Sequence, residues 1–132
     1  MNKHLPAYAG TAALMVLLDA LWLGLVASAL YAQGIGHLMA DSPRLGVAAL
    51  FYAVYAAGLV VFAVTPATDR RNAAWKGALF GFFAYATYDL TNLATLKQWP
   101  VWIALLDMGW GTLVSAASAT AGKAAMDRFA RA

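Results

Sequence analysis

Apolar residues run through this chain in four long stretches, separated by short clusters of glycine, proline and charge. The stretches cover about 6–30, 45–64, 74–96 and 100–122, and a helix needs about 20 such residues to cross a bilayer. Pro66 closes the second stretch, and Pro100 sits where the first turn of a helix accepts proline. Four segments of this length cannot close a barrel, and backbone in hydrocarbon must satisfy its own hydrogen bonds, so the pattern predicts helices. The expected fold is all-α, a polytopic four-helix transmembrane bundle forming one domain over 1–132. Tyr31–Arg44 reads as a longer loop and Thr65–Ala73 as a charged joint. Lys97-Gln98-Trp99 reads as a tight turn, which makes the third and fourth helices antiparallel neighbours. The first run is too long for the apolar core of a signal peptide and carries Asp19, so it is expected to stay as a helix.

Composition agrees with a lipid solvent. The chain is 63% hydrophobic and 11% charged, where soluble domains carry about 25% charged residues. Cysteine is absent, which excludes disulfides, thiolate metal sites and cysteine nucleophiles. The net charge of +3 does not mark a nucleic-acid binder, because the basic residues sit at segment ends and not on an aromatic-interleaved stripe. Lys3, Arg70, Arg71, Lys76, Lys123, Arg128 and Arg131 fall on one side, and Arg44 and Lys97 on the other. That asymmetry places both termini in the cytoplasm, and the basic tail Lys123–Arg131 against anionic membrane lipids. Trp75 and Trp99 lie at helix ends as interfacial anchors.

Against this background Asp19, Asp89 and Asp107 need a reason. A carboxylate near the bilayer centre costs about 3 kcal/mol or more. The topology sets all three between the midplane and the outer face, where one cavity is able to hold them. Helical spacing extends each into a stripe. Met15, Asp19 and Trp22 align on the first helix, and Tyr52 and Tyr55 reach a similar depth on the second. Gly81, Tyr85, Tyr88, Asp89 and Asn92 share a face of the third. Asp107, Trp110, Gly111, Val114, Ser115 and Ser118 share one on the fourth. The candidate ligand-binding set is therefore Asp19, Trp22, Tyr52, Tyr55, Tyr85, Tyr88, Asp89, Asn92, Asp107 and Trp110.

Two short internal echoes stand out. Leu17-Leu18-Asp19-Ala20-Leu21-Trp22 is similar to Leu105-Leu106-Asp107-Met108-Gly109-Trp110, and Tyr52-Ala53-Val54-Tyr55 to Tyr85-Ala86-Thr87-Tyr88. The paired helices run in opposite directions, the arrangement of an inverted repeat. Gly77-x-x-x-Gly81 and the small residues Gly111, Ser115, Ala119 and Gly122 allow close helix packing, within the bundle or in a homodimer.

The Asp19–Leu23 pattern Asp-x-x-Trp-Leu, the Phe51-Tyr52-x-x-Tyr55 stretch, Tyr88-Asp89-Leu90-Thr91-Asn92 and Asp107-x-x-Trp110-Gly111 together resemble an uncharacterised bacterial membrane family, domain of unknown function 2177. The resemblance covers nearly the whole chain, and the Tyr-Asp-Leu-Thr-Asn run is its most specific element. It implies a small inner-membrane protein with four helices, and it brings no activity with it.

Three functional readings follow from the residues. Carboxylates beside aromatic faces suit binding, or transport, of a lipid headgroup or small cation. A membrane-embedded, lipid-modifying enzyme would use the aspartates as acid and base, or with Asn92 as oxygen ligands for a divalent ion. Tyr88-Asp89 matches half of an intramembrane aspartyl protease signature, but Ala104-Leu105-Leu106 replaces the glycine-rich half before Asp107. In the third reading the acids lock helices together in a structural or regulatory subunit. No cofactor is expected: His4 and His37 lie at opposite sides and cannot share one iron.

Overall fold

A computed structural model describes residues 2–130; Arg131, counted above among the basic tail, lies outside the described residues. The described chain is all-helical. α1 spans His4–Leu21, α2 Ser28–Ile35, α3 Leu45–Leu59, α4 Arg70–Thr95 and α5 Val101–Ala130. Two π-helical turns extend α1 and α3, over Trp22–Val26 and Val60–Val64. Each is sealed by an i→i+5 bond, Ala27 N–H to Trp22 O at 2.7 Å and Thr65 N–H to Val60 O at 2.8 Å. Three segments, His4–Val26, Leu45–Val64 and Val101–Ala130, are long and apolar enough to cross a membrane.

The third expected crossing, α4, is long enough at 26 residues, but Asp89, Asn92 and its tyrosines and threonines dilute its apolar character, and it is not among the three. Its polar residues are handled locally. Thr87, Thr91 and Thr95 form a ladder on an exposed face, each hydroxyl donating to the carbonyl four residues back at 2.6–2.8 Å. A threonine whose hydroxyl is satisfied within its own helix presents mainly its methyl group to the surroundings. At the other end Asp69 caps α4, its carboxylate accepting the Asn72 N–H at 2.7 Å.

Burial is arranged for an apolar solvent. Leu25, Leu45, Phe62 and Leu113 point outward, while small residues hold the helix contacts. α5 packs along both α4 and α1. A Cβ at Gly77 would lie 2.6 Å from the Ser115 carbonyl oxygen, and one at Gly81 would press on the Gly111 carbonyl. The Gly77/Gly81 face is thus used inside the bundle, against α5. Gly122 does the same for α1, where a Cβ would collide with the Thr11 hydroxyl. The turn between α4 and α5 is as tight as expected, with Gln98 in the left-handed region at φ 63°.

The main departure from expectation lies after the first helix. Where a continuous helix to residue 30 and then a loop were expected, the π turn ends at Ala27 and a new helix, α2, continues to Ile35 with a single 3-10 turn at Gly36–Leu38. The π turn adds a residue to the helical register, and α2 then returns Tyr31 to the bundle, 9% exposed. The basic C-terminal segment is also a continuation of α5, to Ala130.

Candidate functional site

The ten candidate residues separate into a closed cluster and an open cleft. Asp19, on the last turn of α1, is 6% exposed. Trp110 Nε1 on α5 donates to its Oδ1 at 2.7 Å, and Tyr52 OH on α3 donates to its Oδ2 at 2.8 Å. Trp22 lies flat on Trp110, with ring centroids 4.5 Å apart and planes 5° from parallel. The two Asp-x-x-Trp echoes therefore meet, and one carboxylate joins three helices.

Asp107 sits in a different setting. It lies at the base of a cleft of about 420 Å³ lined by Phe51, Tyr55, Ala84, Tyr85 and Tyr88. α3 and α4 form the walls. α4 packs on the Val60–Val64 turn but parts from the Leu45–Leu59 stretch, so the two helices diverge. Phe51 and Tyr88 stand at the rim, 44% and 56% exposed. Tyr55 and Tyr85 meet edge to face at 6.0 Å deeper inside, and Tyr55 shares a 2.6 Å hydrogen bond with Ser115. Gly111 makes room for the Tyr85 ring, which occupies the space a Cβ would take. One hydrogen bond reaches Asp107, from Tyr31 OH at 2.9 Å to Oδ1.

Asp89 is fully buried behind this cleft, facing Asp107 and the Trp99 indole. Neither of its carboxyl oxygens has a hydrogen-bond partner, and the indole nitrogens of Trp99 and Trp22 are buried without one as well. Tyr88 stands edge-on to Trp99 at 6.0 Å, and half-buried Asn92 lies one turn beyond Tyr88. Among the described residues the one ion pair is Lys123–Asp127, far from all three acids.

The structure thus brings Tyr55, Tyr85, Tyr88 and Asp107 to one cleft, with Asp89 behind it. It assigns Asp19, Trp22, Tyr52 and Trp110 to the closed cluster. The expectation of one cavity shared by three acids is corrected accordingly. Among the described residues no three acidic or histidine side chains come close enough to hold a metal ion, so the ligand set Asp19, Asp89, Asp107 and Asn92 does not assemble. Sequence reasoning missed Tyr31, because it had been assigned to a loop, and Phe51, because a phenylalanine in an apolar helix carries no signal. Trp99 was read as an anchor alone, yet its ring nitrogen turns inward toward Asp89.

The family model of a predicted membrane protein, DUF2177, matches residues 4–124. The chain belongs to that family. It is accordingly a predicted membrane protein, and its apolar helices suit a multi-pass arrangement. No curated protein and no solved structure matches the chain.

Proposed function

We propose that the protein binds a small organic cation, or the amine headgroup of a lipid, in the cleft between α3 and α4. The observation that carries this reading is a single carboxylate, Asp107, at the base of a cleft walled by Phe51, Tyr55, Tyr85 and Tyr88. An ammonium group gains about 0.5–2 kcal/mol from an aromatic face, and the carboxylate adds its opposite charge. The volume of about 420 Å³ falls in the range of small-molecule sites.

The exposed rim at Phe51 and Tyr88 favours lateral entry from the lipid-facing flank. The distribution of basic residues supports an inner-membrane orientation with both termini cytoplasmic, α4 as a fourth crossing, and the cleft in the outer half. The two buried hydroxyls in the inner half, Thr11 and Ser118, do not continue the acids toward the cytoplasm as a titratable path. Binding is therefore favoured over proton-driven transport. The Asp19 cluster serves as the structural joint that holds the cleft open beside it.

The test is calorimetric titration of the protein in phosphatidylcholine nanodiscs with tetramethylammonium and with phosphoethanolamine. Saturable binding that weakens about tenfold in Asp107→Asn, the scale of one charge contact, is the expected result. Equal binding by both proteins sinks the reading.

A further inference from the structure

The opposite end of the bundle holds a second arrangement, independent of the acids. One cavity of about 750 Å³ is lined by Arg70, Ala124, Ala125, Arg128 and Phe129. Another, of about 490 Å³, is lined by Leu5, Pro6, Ala9, Gly10, Ala125 and Phe129. The shared Ala125 and Phe129 make them neighbours: a basic recess adjoins an apolar furrow between α1 and α5. The furrow has a solid floor, since a Cβ at Gly10 would already lie 3.2 Å from the Ala125 Cβ.

The charge in the recess is free to act. Among the described residues neither Arg70 nor Arg128 has a carboxylate within ion-pair distance, because Asp127 pairs with Lys123 at 3.2 Å. Asp69, next to Arg70, is engaged in accepting the Asn72 N–H. Arg70 also opens α4, whose N-terminal N–H groups add positive potential. Two guanidinium groups suit phosphate oxygens, which they bind through paired N–H donors. A zwitterionic headgroup offers the same phosphate but brings an ammonium group that two guanidinium groups repel, so net negative charge is favoured.

We propose that this recess and furrow form a binding site for an anionic glycerophospholipid. The phosphate lies between Arg70 and Arg128, and one acyl chain runs over Phe129 along Leu5, Pro6 and Ala9. Charge complementarity selects this occupant, in a chain whose other helix faces are already built for lipid.

Native mass spectrometry of the full chain, released from micelles holding equal phosphatidylglycerol and phosphatidylcholine, tests the site. The wild type retains phosphatidylglycerol preferentially. In R70Q/R128Q, both positions exposed, the preference falls about thirtyfold, the factor supplied by two basic residues at a membrane surface. Ala9→Phe, which fills the furrow from its exposed side, reduces retention of both lipids. Arg71→Gln removes the same charge one residue outside the recess and leaves the preference intact. Equal retention of the two lipids by the wild type overturns the proposal. So does an R71Q effect as large as that of R70Q alone, which would mark a diffuse surface charge. A dimer peak that Ala9→Phe abolishes, in place of lipid adducts, assigns the furrow to a second copy and overturns it too.

Discussion

Asp19 and Asp107 occupy matching positions in two echoed sequences, yet the protein treats them differently. Asp19 is shut in, with both carboxyl oxygens receiving donors from two other helices. Asp107 receives one donor and faces a cleft, and Asp89 behind it receives none. Interhelical hydrogen bonds in membranes average about 0.6 kcal/mol and reach about 1.7 kcal/mol. Two such bonds offset about 1–3 kcal/mol of the ~3 kcal/mol insertion cost of Asp19. The one bond to Asp107 offsets about half as much. Expense left uncompensated inside a bundle is the mark of a group kept for chemistry or binding; expense compensated is the mark of a joint. The same residue type serves both ends within one small chain.

This contrast can be broken from either side. The largest effect is expected at the closed cluster, where Asp19→Ala strands the Tyr52 hydroxyl and the Trp110 indole and destabilises the fold by about 2 kcal/mol. Thermal unfolding in mild detergent measures it, and unchanged stability would remove the structural role. Next comes Asp107→Asn, for which the expected loss is in ligand affinity, about tenfold, with stability within about 0.5 kcal/mol of wild type. Tyr31 can still donate to the amide oxygen, so a large unfolding shift would move Asp107 into the structural class. Tyr52→Phe should cost about 1 kcal/mol and leave cation binding untouched, since its hydroxyl serves Asp19 and not the cleft. A drop in affinity there would show the two clusters to be one site. The smallest effect is expected at Asp89→Asn: stability equal to wild type or slightly above it, because the amide can donate to Asp107 and accept from the Trp99 indole, the two groups Asp89 faces. Marked destabilisation would reveal a bond at Asp89 that matters to folding.

The glycines make a related point. Gly77-x-x-x-Gly81 is legible as a packing face from spacing alone, but the same spacing serves a dimer or an internal contact. The choice was made by α5, which presents Gly111, Ser115 and Ala119 at the same level. Two surfaces of small residues facing each other let the backbones approach, and neither remains free for a second copy. Tyr31 shows the opposite limit. Its sequence neighbours Gly34 and Gly36 read as loop, whereas the π turn at Trp22–Val26 resets the register and carries a further helix back over α5. No local pattern encodes that reset, because it depends on which carbonyl each N–H finds.

What the sequence determined by itself was the solvent and the problem it poses. Runs of apolar residues long enough to span, basic residues at their ends and three aspartates inside are facts of order along the chain, and they set the helices, their approximate limits and the residues in need of explanation. The tertiary structure decided how that problem is resolved. Hydrogen bonds and clefts depend on side chains from different helices meeting at one depth and one angle, and period alone fixes depth but not angle. Whether an aspartate is tied off like Asp19 or left facing space like Asp107 follows from where α3 and α4 separate, a property of packing that no single helix contains.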